Sequence, residues 1–446
     1  MRLQGPDDRD ALRTRGNLAI WRGEAGDAEG AVDALEQLLA DQLRALGPEH
    51  SDILRTRVNI ATWRRRAGNP AGARGAFRQL LPDAIQALGP DHPDTLIIRA
   101  NLATSQGEEG DAAGAAISFE SLLADHVRVL GADHPESLST RSNLATWRGE
   151  SGDTTGATAI FEPLLADYAR IYGLDHPETL TIRNNFASWR GEAGDAAGAL
   201  DAFQELLVDV VRVFGDDHPY TFRTRSNLAT WHGRAGKPTD ASEAFEQLLP
   251  HVVRVLGPSH PYTFATRSNH ASWRGEAGDV IEAFNEFREL LPDVVQVLGD
   301  DHPYTLTVRN SLATWRGNAG DSTRAADDLG QLLTDQLRVL GPGHPDVLVT
   351  RNNLAYWRGQ AGDSAGAAGA FREVLQDRLR ILGPDHPLTL VTRNNLAFWR
   401  YKAGDIAGAV DTLEQLLADQ IRILGSSHPN TINTSENLTY ILGRQR

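Results

Sequence analysis

The chain has 446 residues, 41% of them hydrophobic and 23% charged, which is the composition of a folded protein with a substantial core rather than of a disordered one. It has no cysteine, so disulfides, thiolate nucleophiles and cysteine-bound zinc are excluded, and a formal charge of −15 disfavours nonspecific adhesion to nucleic acid or anionic lipid. The N-terminal stretch carries no apolar signal region and no later stretch approaches the roughly 18 apolar residues of a membrane span, so a cytoplasmic protein with neither nucleic-acid nor membrane partner is expected.

A period of 42 residues organises everything else. Asn17, Asn59, Asn101, Asn143, Asn185, Asn227 and Asn269 are followed by Ser311, Asn353, Asn395 and Asn437 with no slip of register. Two residues earlier stands an arginine, from Arg15 to Arg393, replaced at the end by Ser435; four residues later stand all nine tryptophans, with Ser105 and Ile441 as the exceptions. A fixed period of this size is the signature of a solenoid, in which each unit buries its apolar face against its neighbours.

Taken along the chain, each repeat predicts two helices. In the fifth, a first helix is expected from about Glu178 to Ala193, opened by His176-Pro177 and capped by Thr179 or a neighbouring polar group. Gly194-Asp195 makes the turn, and a second helix runs from about Ala196 to Phe214 with Ala199, Phe203, Leu206, Leu207, Val210, Val211 and Phe214 as its apolar stripe. Earlier repeats carry two departures, the basic Arg64-Arg65-Arg66 and the Ser105-Gln106 pair, the latter expected to loosen or widen the wall around the third repeat. Pro82, Pro163, Pro250 and Pro292 fall inside second helices and predict kinks or local breaks. The last predicted helix, 431–442, has no second helix after it and reads as a terminal cap on a single continuous array spanning 1–446.

The Asn-Asn-Leu-Ala of 352–355 and 394–397, the Ala-Gly-Asp turn, the alanine-rich start of the second helix and the Leu-Gly-Pro-Asp-His-Pro connection together resemble the 42-residue tetratricopeptide repeat of the kinesin light chain type. The Trp-Arg-Gly-Glu-Ala-Gly-Asp phrasing is similar to repeats of actinobacterial proteins. The resemblance implies an all-α solenoid, a right-handed superhelix of about ten helix pairs plus the closing helix. It also implies a concave wall of first helices that binds peptides or partner proteins, with asparagines such as Asn184, Asn185 and Asn227 holding a bound backbone.

Candidate groove residues follow from the repeated columns and from the places where they vary. Arg183, Arg225, Arg267 and Arg309 form a guanidinium ladder suited to carboxylates, or else satisfy an acidic residue or a helix-end carbonyl on the adjoining helix. Asn269 extends the asparagine ladder, which either bridges successive first helices or holds a peptide. Trp189, Trp231, Trp273 and Trp315 read mainly as packing residues, each indole N–H reaching a neighbouring turn. Tyr220, Tyr262 and Tyr304, joined by Phe222, Phe264, Arg223 and His270, form a local aromatic enrichment that would be a hot-spot cluster if exposed at the groove mouth. Ten histidines recur before the first helices, but their spacing suits a structural role better than metal binding. No catalytic residue, metal or cofactor is expected. The leading function is a scaffold holding an acidic or extended protein segment; the alternative is a small-molecule receptor or atypical biosynthetic enzyme with an aromatic pocket in the central repeats.

Overall fold

A computed structural model describes residues 8–48, 50–426 and 429–443. The described residues form only α-helices, joined by short turns. Repeats 1 to 4 contain α1 (Arg9–Glu24) and α2 (Ala28–Leu46), α3 (Ser51–Arg66) and α4 (Pro70–Leu88), α5 (Pro93–Glu108) and α6 (Ala112–Leu130), then α7 (Pro135–Glu150) and α8 (Thr154–Tyr172). Repeats 5 to 7 contain α9 (Pro177–Glu192) and α10 (Ala196–Phe214), α11 (Pro219–Arg234) and α12 (Pro238–Leu256), α13 (Pro261–Glu276) and α14 (Val280–Leu298). Repeats 8 to 10 contain α15 (Pro303–Asn318) and α16 (Ser322–Val339), α17 (Pro345–Gln360) and α18 (Ser364–Ile381), α19 (Pro387–Lys402) and α20 (Ile406–Leu424), and α21 (Pro429–Gly443) closes the series.

Two compact units result, Met1–Glu150 and Ser151–Arg446. Within each, every helix packs against the one before and the one after. Within each unit first helices also touch each other, as in α1–α3 of the first and α9–α11, α15–α17 and α17–α19 of the second, so each unit has a wall of first helices backed by second helices.

Local chemistry sets the boundaries. The histidine column caps the first helices: His176 Nδ1 accepts from the Glu178 amide at 3.3 Å, and His50, His92, His134, His218, His260, His302, His344 and His386 do the same in their repeats. Such an imidazole is neutral, with its proton on Nε2. Of the expected caps, the neighbouring polar group is the one found, His176, while Thr179 is fully buried with its hydroxyl turned back toward the Tyr168 carbonyl. At the inner turn Gly194 takes φ +103°, a left-handed value that a side chain would resist, and Asp195 accepts from the Gly198 amide at 2.9 Å.

The core is a stack of equivalent layers. Phe203, Ala199 and Val210 of α10 are fully buried, as are Phe245, Ala241 and Val252 of α12. Small alanines, Ala187 and Ala229 among them, let the axes approach. Between repeats, the tryptophan of one first helix lies on the glycine of the preceding one: Trp63 on Gly23, Trp147 on Gly107, Trp231 on Gly191, Trp273 on Gly233, Trp315 on Gly275, Trp357 on Gly317 and Trp399 on Gly359. A β-carbon on Gly317 would stand 2.6 Å from the Trp357 ring, well inside van der Waals contact. The indole N–H of Trp399 is buried with no hydrogen-bond partner rather than reaching a turn.

Ser105, expected to loosen its repeat, is fully buried with its hydroxyl donating to the Asn101 carbonyl at 2.9 Å, and the glycine position before it is held by Arg65, whose guanidinium meets Glu108 at 2.6 Å. The prolines do not end their helices: α4, α8, α12 and α14 keep the same 19 residues as the proline-free α6 and α10. Each of the four prolines sits on the exposed side, as does the residue four positions before it, so water can bond the carbonyl that loses its amide donor.

Candidate functional site

The wall of first helices carries three ladders, and the arginines come first. Arg183 meets Asp209 of the following helix at 2.6 Å, Arg267 meets Asp293 at 2.7 Å and Arg309 meets Asp335 at 2.8 Å. Asp209 also accepts from Arg212, which grips Asp175 of the preceding loop through both oxygens at 2.6 and 2.8 Å. One network thus ties the loop, first helix and second helix of a repeat. Hydrogen bonds from Arg183 and then Arg212 hold the Asp209 carboxyl below the usual carboxylate range. In repeat 6 His251 replaces the aspartate, and Arg225 swings to Asp216 at 2.5 Å.

Asparagines and tyrosines bridge neighbouring first helices. Asn227 Nδ2 donates to Asn184 Oδ1 at 2.8 Å, and Asn353 donates to Asn310 at the same distance; Asn184 is buried and its amide leans on Asn185 at 3.4 Å. Asn269 is exposed. The hydroxyls of Tyr220, Tyr262 and Tyr304 meet Thr181, Ser226 and Ser268 of the preceding first helix at 2.8, 2.9 and 2.9 Å. Thr181 spends its proton on the Pro177 carbonyl, which makes Tyr220 the donor of that pair. Burial raises the phenol pKa of Tyr262 and Tyr304.

Toward the C-terminal end the wall changes character. The third residue after the asparagine column is Thr or Ser in repeats 2 to 8, and Thr62, Thr104, Thr146, Ser188 and Thr230 each bond the carbonyl four residues back in their own helix. In repeats 9 to 11 the same position is Tyr356, Phe398 and Tyr440. With Tyr401, Lys402 and three asparagines these rings line a cleft of about 410 Å³ floored by Leu413 and Ile441. Phe398 and Tyr440 are 42% and 53% exposed, so the aromatic faces are open to a ligand.

Models of the family described as tetratricopeptide repeat match residues 10–85, 52–125 and 136–207, and again 221–262, 305–346, 347–388 and 389–430. The chain belongs to the tetratricopeptide repeat family. Among curated protein sequences none matches it. Among solved structures, it resembles a kinesin light chain-type array of nearly identical TPR-like repeats from Podosopora anserina, at 23% identity and a TM-score of 0.41 over 45% of this chain and 95% of that one. BtubC (BKLC) from P. vanneervenii aligns at 18% identity and a TM-score of 0.39, covering 56% of this chain and 94% of that one. A Rap protein complexed with Competence and Sporulation Factor aligns at 12% identity and a TM-score of 0.51, covering 83% and 98%. At 12% identity the likeness to the Rap protein is one of fold alone.

On this tetratricopeptide repeat scaffold the remaining candidates are located as follows. Phe222 and Phe264 are fully buried in the core of their repeats, not at a groove mouth, because they occupy the leucine position that faces the second helix. Arg223 lies 4.5 Å over the Tyr220 ring. His270 bonds Glu286 at 3.0 Å, and Arg274 reaches the other oxygen at 2.7 Å. Burial pushes the Glu286 carboxyl up, and the bonds from His270 and Arg274 more than reverse it. Trp231 and Trp315 are buried, while Trp189 and Trp273 are half-buried. Sequence reasoning passed over Tyr356, Phe398, Tyr401 and Tyr440. The signal was present as a switch from hydroxyl to ring at one repeat position. Among the described residues no group of three or more His, Asp or Glu could hold a metal, and no helix is long and apolar enough to cross a membrane.

Proposed function

We propose that this tetratricopeptide repeat protein is a non-catalytic scaffold that holds an extended segment of a partner protein against its wall of first helices, without a cofactor. The repeat architecture supports a general protein- or peptide-binding role. The observation that carries the reading is the asparagine ladder of α9, α11, α15 and α17, whose amides recur along one wall and can exchange their mutual bonds for bonds to an extended backbone. The arginine ladder supports a narrower version than the sequence suggested. Arg183, Arg267 and Arg309 are already paired with aspartates, so an acidic segment would have to compete with Asp209, Asp293 and Asp335 for them. The wall is therefore better matched to a segment that offers backbone and apolar groups than to one that offers only charge.

The test is selection of random displayed peptides on the full chain, followed by hydrogen exchange of the complex. Protection of first helices between α9 and α21, with the second helices unchanged, is the expected outcome. Failure to enrich any peptide, or protection confined to second helices, would reject the reading.

A further inference from the structure

We infer that the aromatic cleft between α17, α19 and α21 is an anchor subsite for a bulky uncharged side chain, aromatic or branched aliphatic, carried on a backbone that brings its own N–H donors. This rests on the scaffold reading above and names the chemistry of one place in it. Four observations converge on that occupant.

First, the departure from the repeat is confined and coordinated. Where seven earlier repeats have a hydroxyl, five of them bonded to their own helix, three consecutive repeats have rings, and these rings line one cleft. Second, an acceptor in the lining is left open. The Asn184 and Asn310 carbonyl oxygens receive the amide of the next repeat's asparagine, but the Oδ1 atom of Asn394, which lines the cleft, is buried with no partner. Asn437, the donor that would serve Asn394 by this pattern, turns instead to Asn433 at 2.9 Å. A buried acceptor without a donor is costly, and a ligand N–H would satisfy it.

Third, the charge pattern is altered. The position seven residues after the asparagine column is glutamate in repeats 1, 3, 4, 5 and 7, yet it becomes Asn318, Gln360 and Lys402 in repeats 8 to 10. No carboxylate is among the described residues that line the cleft, and Lys402 Nζ lies 5.5 Å from the Phe398 ring. An aromatic cage for a cation needs the opposite arrangement. Fourth, the apolar floor of Leu413 and Ile441 rewards burial of hydrocarbon.

The probes are N-acetyl-phenylalanine amide, N-acetyl-serine amide and N-acetyl-arginine amide, titrated into the full ¹⁵N-labelled chain while the tryptophan indole N–H signals are followed. Trp399, which touches Phe398 and Tyr356 edge-on at 5.0 and 6.0 Å, reports the cleft. The phenylalanine amide is expected to move the Trp399 signal, the serine and arginine amides to leave it. Phe398→Thr with Tyr440→Thr installs the residue of Thr62, Thr104 and Thr146 and should weaken the response roughly tenfold or more. Lys402→Glu installs the residue of Glu192 and should admit the arginine amide, which keeps the test open if the double variant folds poorly. An unmoved Trp399 signal with every probe, an equal response to phenylalanine and arginine amides, or full binding by the double variant would overturn the inference. Selected peptides that protect α9 to α13 and bind the double variant as well as the native chain would overturn it while leaving the scaffold reading intact.

Discussion

Gly191 and Trp231 are a mated pair, and the pairing explains why two residue types of opposite size repeat together. Any side chain on the glycine would enter the indole ring of the next repeat. Gly191→Ala should therefore cost about 1–3 kcal/mol through overpacking, read as a lowered thermal midpoint, whereas Gly75→Ala, where a β-carbon meets nothing, should be neutral or better. The chain contains its own compensated variant in Arg65 and Ser105, and a second in Tyr401 and Ile441: wherever the glycine is lost, the tryptophan after it is lost too. Gly191→Arg combined with Trp231→Ser should accordingly lose less stability than the sum of the two single changes, a coupling that a double-mutant cycle measures directly. This correlation was legible from the sequence, but only when position 65 is compared with position 105, across a repeat boundary. A reading of each column by itself sees two unrelated exceptions.

At the scale of the helix, the caps couple the fold to pH. A histidine that accepts an amide through Nδ1 loses that capacity when protonated, so acid removes the cap that His344 gives α17 while leaving a carboxylate cap such as Asp195 in place. His344 gives the sign. Burial lowers its pKa below the ordinary 6.5, hence its neutral form is favoured in the folded chain, and its contribution is full above 6.5 and is lost as pH falls from there through the lowered folded pKa. Thermal midpoints should drop on acidification from pH 7 to 5, and His344→Asp, which retains a capping oxygen, should flatten part of that drop. Element boundaries were well read from the sequence, with α10 at Ala196–Phe214 as expected, because Pro, Gly and Asp mark the ends by fixed stereochemistry. That Thr179 is buried rather than capping was not, since this depends on which side of a helix faces water, and that is decided only by its neighbours.

Across the whole molecule, helix contacts pass almost entirely between chain neighbours, so stability is expected to behave as a sum over repeats and junctions. The fold was legible for that reason: one repeat, read correctly, is read many times. The candidate site was less so. Repetition draws attention to what recurs, and the recurring arginines turn out to be occupied by Asp209 and its equivalents, whereas the open cleft is built from the three places where a recurring hydroxyl gives way to Tyr356, Phe398 and Tyr440. The glycine-tryptophan pairing has one more consequence, for how such an array can lengthen or shorten over generations. Its junctions are interchangeable, so excising 192–233 brings Gly191 against Trp273 and should leave a folded, shorter chain by circular dichroism and cooperative melting. Excising 66–107 brings Arg65 against Trp147 and should not. Recombination between repeats is thus free along most of the chain and barred at a seam, and a seam of that kind fixes which repeats can be shuffled and which are inherited as a block.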